Sequence, residues 1–343
     1  VQACADDLGK RLRKAGGPVR VAVLATGGTI ASRPGSDGYL VVRDTVTDLL
    51  AGVRLPAGVT VTGFDVAHRP SFELTLDDML ATVREIRAKL ALGFTAVVVT
   101  HGTDTLEEAA YLTGQLVPRD ARIVFTGAQR SADEPDSDAG RNLSDAITVS
   151  AAPEPVGVAV VLGGFAYAAV EARKVHTSAL AAFSAGAAGA LALVDGDGML
   201  RLSAPARGAY YANRAIPKSL PRVDLIKLAA GADDTHVRAS VAAGTAGIVI
   251  EAFGAGNATA SVFAAVQDAC KQGVVVVITS RTGGGRVRPI YASGGADLAH
   301  AGAIFGGNLT GTQARVALAL SLAMAPADAV PDAFHGMVEG ALS

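Results

Sequence analysis

The sequence predicts an α/β protein, with a larger N-terminal domain on a doubly wound parallel sheet and a smaller C-terminal α/β domain. Three observations carry this expectation. Apolar runs of strand length alternate with helix-length segments along the chain. Many of these runs end in hydroxyl residues or glycine, as in Thr26-Gly27-Gly28-Thr29 and Thr100-His101-Gly102-Thr103. A stretch of mixed polar residues holding Pro205, Pro217 and Pro221 interrupts the alternation once. The expected division is residues 1–203, a linker over 204–221, and a second domain over 222–343.

The chain has 343 residues, 50% of them apolar, enough for two domains that each bury a core. Charged residues make up 18% and the formal net charge is −2, which gives no reason to expect nucleic acid or an anionic membrane as partner. No apolar run approaches the roughly 20 residues of a membrane-spanning helix. Cys4 and Cys270 lie far apart, fit no zinc spacing and imply no disulfide framework. No signal peptide is visible at Val1 and no initiator Met is present, so the expectation for the compartment stays open, the cytoplasm slightly favoured over export.

Residues 1–18 are polar and basic and read as a tail or a short helix leading in. The first strand, Val19–Ala25, ends in Thr26-Gly27-Gly28-Thr29. Adjacent glycines let the backbone turn sharply and approach a ligand, and their N–H groups can bind an oxygen anion. Ser32–Gly38 has turn chemistry and precedes Tyr39. It reads either as a plain surface loop or as a flap that brings Tyr39 back over Thr29. A helix near Asp44–Ala51 takes Asp44 as its N-cap. A strand near Val59–Val66 leads through Ser71-Phe72-Glu73-Leu74-Thr75 into a helix over Leu76–Leu90. Thr75 caps that helix, and Ser71 sits where a βα loop faces a ligand.

The third strand, Thr95–Thr100, runs into His101-Gly102-Thr103-Asp104-Thr105 and a helix over Leu106–Leu116. A strand over Ala121–Phe125 ends in Thr126-Gly127-Ala128-Gln129. The polar loop Arg130–Asp136, a helix over Ala139–Ser150 and a fifth strand, Val156–Leu162, follow. Glu171–Ser178 reads as extended chain or loop around Lys174. A strand near Ala190–Val194 and the turn Asp195-Gly196-Asp197-Gly198 close this half as a hairpin. Beyond the linker, strands Val223–Leu228, Gly247–Ala252 and Val274–Ile278 alternate with helices over Asp233–Ala242, Ala258–Lys271 and Gln313–Ala323. A last helix falls within Ala327–Leu342. Two loops stand out here, Gly254–Asn257 and Arg281–Arg286.

In such a sheet the loops after the first and third strands share one edge, and that edge is the expected pocket. The residues there exclude several chemistries. The six histidines are scattered and no HExxH occurs, which argues against a catalytic metal. Thr26–Ile30 lacks the Lys-Ser/Thr end of a phosphate loop, and its glycines open a loop containing Pro34 rather than a dinucleotide-binding helix. The GxSxG elbow of serine hydrolases is absent. Hydroxyl chemistry is what is left. Thr29 is the candidate nucleophile of an amide hydrolase, with Tyr39 as local proton acceptor. Thr103 and Asp104, organised by the cation of Lys174, form a second candidate group that relays a proton. Taken singly, each threonine reads as a helix cap and the aspartate as a helix N-terminal residue; two such loops on one sheet edge favour a site.

The run Leu24-Ala25-Thr26-Gly27-Gly28-Thr29-Ile30-Ala31 resembles the first signature of the bacterial-type L-asparaginase family. Gly93 through Leu106, with His101-Gly102-Thr103-Asp104-Thr105-Leu106, resembles its second. Similarity extends from about Arg20 to Ala323. It includes Thr126-Gly127-Ala128 with Asp138 and Asn142-Leu143, the stretch around Lys174 up to Phe183, and the Gly254–Asn257 loop. The resemblance implies hydrolysis of L-asparagine to L-aspartate and ammonia, variable activity on L-glutamine, and no metal or organic cofactor. By position, Thr29 resembles the primary nucleophile and Tyr39 its flap partner, while Thr103, Asp104 and Lys174 resemble the second triad.

Ser71 with the Gly28 and Gly102 backbones resembles the pocket for the substrate's α-carboxylate. Asp104 also resembles the holder of its α-amino group, and the Ala128 backbone a side-chain amide contact. The family implies a homotetramer, a pair of intimate dimers, in which Asn257 is the candidate for a contact lent to a neighbour's site. Two positions depart from the pattern. Phe72, beside the substrate at this position, stands where well-known members carry Gln, and Arg281–Leu298 holds Tyr291 but no Glu to complete the first group. Competing expectations are a glutaminase-asparaginase of broad specificity, an amidotransferase component (which usually carries an added N-terminal domain, against the short tail before Val19), and a non-catalytic amino-acid-binding protein on the same fold.

Overall fold

The computed structural model describes residues 19–194, 198–203, 210–212 and 214–340, without the side chains of 339 and 340. The chain forms two compact units, one ending at Ile216 and one beginning at Pro217. The expected N-terminal tail, the turn residues 195–197 and much of the linker lie outside the described residues.

The first unit begins with β1 (Val19–Ala25), in which every residue but Arg20 is buried. A strand apolar on both faces belongs inside a parallel sheet covered on both sides. The chain then makes a small hairpin, β2 (Ser32–Pro34) against β3 (Leu40–Val42), and enters a short helix, α1 (Val46–Leu50). The α1 cap is Thr45, not Asp44. Thr45 accepts from the Asp48 backbone and Asp48 accepts from the Thr45 N–H, a reciprocal capping box. Asp44 is committed elsewhere: its buried carboxylate accepts from Arg33 Nε at 2.5 Å. That pairing closes the root of the hairpin and leaves the cap to the next residue.

The unit continues through β4 (Val59–Asp65), α2 (Leu76–Ala91), β5 (Ala96–Thr100), α3 (Leu106–Leu116), β6 (Arg122–Thr126), α4 (Ala139–Ser150) and β7 (Gly157–Leu162). Thr75 caps α2 with a full capping box to Asp78, as expected. The parallel strands lie in the order β4-β1-β5-β6-β7. Chain direction across the sheet therefore reverses between β1 and β5, and the connections leaving these two strands diverge. A crevice at their carboxyl ends follows from that topology.

The sheet is parallel only in this part. A strand that the sequence does not announce, β8 (Phe165–Ala168), folds back antiparallel on β7 through Gly163-Gly164, both at positive φ. After a two-residue pair, β9 (Arg173–Lys174) on β10 (Phe183–Ser184), the strands β11 (Ala192–Val194) and β12 (Met199–Arg201) extend the sheet antiparallel beyond β8. The latter two form the expected hairpin.

The second unit has a four-stranded parallel sheet in the order β13 (Val223–Lys227), β14 (Gly247–Ala252), β15 (Val275–Ser280), β16 (Ile304–Phe305). Its helices are α5 (Thr235–Ala242), α6 (Ala260–Lys271), the short α7 (Asp297–His300), α8 (Gly311–Met324) and α9 (Val330–Gly340). Ile226, Ile248, Ile250, Val262, Val266, Val276, Ile278 and Leu298 form one buried core. Helix α6 starts two residues later than expected because Thr259, rather than a residue before it, accepts from the Val262 N–H. Helix α8 starts two residues earlier, capped by Thr310 with Gln313.

Candidate active site

Four loops converge at the carboxyl ends of β4, β1, β5 and β6, and they touch through residues without side chains. Gly28, after β1, has φ 85° and ψ −176°. A methyl group there would lie 2.3 Å from Gly102 Cα, in the loop after β5. One on Gly102 would lie 2.5 Å from Ser71 Oγ, in the loop after β4. One on Gly27 would lie 2.5 Å from the Arg69 carbonyl, and one on Gly127, after β6, 2.5 Å from the His101 carbonyl. Each glycine is thus required by a close approach. Gly28 and Gly102 carry N–H groups with no hydrogen-bond partner among the described residues, and such groups can take an anion.

Thr29 opens a single 3₁₀ turn (Thr29–Ala31) and is half-buried; its hydroxyl makes no hydrogen bond among the described residues. Ser32 Oγ donates to the Gly28 carbonyl at 2.9 Å, fixing the turn from behind. Thr26 Oγ1 donates to the Thr100 carbonyl at 2.8 Å and ties the end of β1 to that of β5. Ser71 is buried in a turn after β4, and its carbonyl accepts from Thr105 Oγ1 at 2.9 Å. Phe72, the next residue, points outward and is 70% exposed.

Thr103, Asp104 and Lys174 come together. Lys174 Nζ donates to Thr103 Oγ1 at 2.8 Å and to Asp104 Oδ1 at 2.7 Å. Thr103 is buried and the Lys174 side chain nearly so, while Asp104 opens to solvent. The amine therefore reaches a shielded hydroxyl and an accessible carboxylate at once. Tyr39 is not brought to Thr29. It sits at the tip of the β2–β3 hairpin, 76% exposed, with its N–H on Asp37 and its carbonyl on the Gly35 N–H. Ala128 is buried beside the Gly127 contact. Asn257 lies in the second unit, where its Oδ1 accepts from the Gly295 N–H at 3.2 Å.

Three supporting residues carry roles that the sequence does not suggest. Glu107, in the first turn of α3, accepts the Lys174 backbone N–H on Oε2 at 2.5 Å. An acid there reads from sequence as a complement to the helix dipole; nothing in the spacing announces a partner in β9. Asn142 is fully buried on α4. Its Nδ2 donates to the Gly127 carbonyl and to Asp138, and its Oδ1 accepts from Gly163 N. Asp138 in turn accepts the N–H groups of Gln129 and Arg130, so one amide pins the loop after β6. His101 is buried against Phe125, with Nδ1 2.8 Å from the Gly102 carbonyl. A carbonyl only accepts, so Nδ1 carries the proton. Burial holds the imidazole below its ordinary value, the carbonyl contact opposing only in part, and the ring is neutral. Among the described residues no group of His, Cys, Asp and Glu could hold a metal ion, and no helix is long and apolar enough to cross a membrane.

The arrangement offers an unengaged hydroxyl, unpartnered N–H groups and a second hydroxyl held by a cation, at the mouth of one crevice. Residues 20–206 match the family model for the asparaginase N-terminal domain, and residues 222–330 that for the glutaminase/asparaginase C-terminal domain. The chain is 33% identical to an L-asparaginase of Bacillus licheniformis over 310 residues, covering 89% of this chain and 95% of that protein. It is 30% identical to a component of the glutamyl-tRNA(Gln) amidotransferase of Methanococcus vannielii over 299 residues, 83% of this chain and 70% of that component. A crystal structure of a probable cytoplasmic L-asparaginase from Campylobacter jejuni superposes with a TM-score of 0.81 at 25% identity, over 92% of this chain and 99% of that one.

Proposed function

Since the chain belongs to the asparaginase family and is an amidohydrolase of that family, we propose that it hydrolyses L-asparagine to L-aspartate and ammonia through a threonine acyl-enzyme. The observation that carries this reading is the Lys174 amine, 2.8 Å from Thr103 Oγ1 and 2.7 Å from Asp104 Oδ1, beside a glycine-only contact that joins the Thr29 and Thr103 loops. In this reading the α-carboxylate of the substrate takes the N–H groups of Gly28 and Gly102 and the Ser71 hydroxyl, and Asp104 takes its α-amino group. The β2–β3 hairpin closes and carries Tyr39 over Thr29. Thr29 Oγ then attacks the side-chain amide carbon, its proton passes by way of the Tyr39 hydroxyl to the departing nitrogen, and ammonia leaves. Water at Thr103 attacks the acyl carbon as its proton is relayed through Lys174 toward Asp104, and Thr29 Oγ leaves, regaining a proton by way of Tyr39, to release aspartate.

Backbone N–H groups, that of Ala128 among them, stabilise the oxyanion, a contribution typically worth a few kcal/mol. The working form is a homotetramer in which Asn257 of a neighbouring copy borders the site. Ammonia release from L-asparagine and L-glutamine in parallel tests the reading. Thr29→Ala lowers turnover by about 10³-fold or more with the unfolding transition unchanged; near-parental turnover removes Thr29 from the role. Comparable rates on the two amides identify a glutaminase-asparaginase, since one methylene usually discriminates by only about 1–3 kcal/mol. Similarity to the amidotransferase component supports a second reading, in which ammonia is released for a partner enzyme. Full turnover of free L-asparagine by the isolated chain decides against it.

A further inference from the structure

The second unit carries, within its own residues, a cavity of about 450 Å³ that the reaction above does not use. Its size falls in the range of small-molecule sites. The floor is apolar. Val287 and Val338 are buried and Phe305 is half-buried beside them. Gly307, at φ 63°, deepens it, because a methyl group there would lie 2.6 Å from Val338 Cγ1. The wall is held by backbone bonds, Val287 N to the Gly307 carbonyl at 3.0 Å and Arg288 N to the Ala255 carbonyl at 2.8 Å.

The rim has one sign of charge. Arg286 and Arg288, both exposed, line the cavity on either side of the buried Val287. The His335 ring, on α9, completes the rim. No carboxylate lines the cavity among the described residues, and neither guanidinium has a hydrogen bond or ion pair there. Other arginines of the same unit, Arg222 and Arg238, are each paired with aspartate. Two cations lining one cavity with no carboxylate in it favour an anion there, and their planar forks match a carboxylate or a phosphate. We propose that this cavity binds a small organic anion, its carboxylate or phosphate head between Arg286 and Arg288 and a short apolar body on Val287, Phe305 and Val338.

The test is calorimetric titration of the full chain with phenyl phosphate and with benzoate, and with benzyl alcohol as the neutral control. Saturable binding of either anion, weaker by roughly tenfold or more in Arg286→Ala/Arg288→Ala and absent for benzyl alcohol, is expected. Which anion binds tighter tells a phosphate site from a carboxylate site. Val338→Phe, which fills the floor and keeps both guanidiniums, also weakens binding, whereas Thr29→Ala does not; binding lost only in Thr29→Ala assigns the anion to the crevice and overturns the proposal. Absence of saturation for both anions up to about 10 mM, or equal binding by the parent and the double variant, also overturns it.

Discussion

Replacing Gly28 by alanine tests the claim that the two threonine loops are placed by close backbone contact. The backbone there, φ 85° and ψ −176°, lies in a region that costs a non-glycine residue about 1–3 kcal/mol. The new methyl would sit 2.3 Å from Gly102 Cα and 2.4 Å from Gly102 N. Restoring a contact of ~3.5 Å moves the loops apart by roughly 1 Å, and overpacking of this kind costs about 1–3 kcal/mol more. The sum, roughly 4 kcal/mol, lowers the unfolding temperature by about 10 °C. A separation of about 1 Å between reacting groups lowers turnover by roughly 10²-fold. Gly52→Ala is the control: φ is 78° there, but nothing lies within 4 Å of the added methyl, so strain acts without collision. Melting and ammonia release are read on both variants. If Gly28→Ala melts and turns over like Gly52→Ala, the contact does not set the site.

Lys174→Met removes the cation shared by Thr103 and Asp104 and lowers turnover by about 10²–10⁴-fold, measured as ammonia release, with melting little changed. Glu107→Ala frees the Lys174 backbone and lowers kcat by about tenfold, whereas Glu107→Gln, which still presents an acceptor oxygen, restores most of it; equal losses in the two variants would mean that the carboxylate charge matters and the anchor does not. His101 is held neutral by burial, below its ordinary value of 6.5. The unfolded chain therefore binds the extra proton first as pH falls, so His101 contributes stability above 6.5 that is lost toward its lower folded value. Urea midpoints measured from pH 7.5 down to about 5 should fall less steeply in His101→Gln than in the parent; identical slopes refute this assignment.

The helices over Leu106–Leu116 and Ala139–Ser150 and the strand over Val19–Ala25 have in the structure the limits their sequences suggest. Each is bounded by local signals, a polar or glycine end and one unbroken period. What escaped was set at a distance. Asp44 looks like a cap until Arg33, eleven residues earlier, takes its carboxylate. The strand over Phe165–Ala168 is only four residues long, and its antiparallel pairing on β7 is what makes it a strand. Thr103 and Asp104 are neighbours in sequence, but only the fold brings Lys174 to them, since the β9–β10 pair that carries it is two residues long. Motif resemblance suggested that meeting; spacing alone could not. The Glu107 anchor had no sequence signal of any kind.

The sheet of the first unit divides its connections between two edges. Every loop described at the crevice leaves a strand's carboxyl end; at the opposite edge, Pro118-Arg119-Asp120 before β6 is exposed and holds none of those residues. An attachment chemistry that works through the amino edge, a cysteine placed at Asp120 for a polymer chain or a solid support, would leave the mouth of the crevice facing away from the tether. Immobilised in that orientation, the protein would keep both its substrate path and the travel of the β2–β3 hairpin clear of the surface.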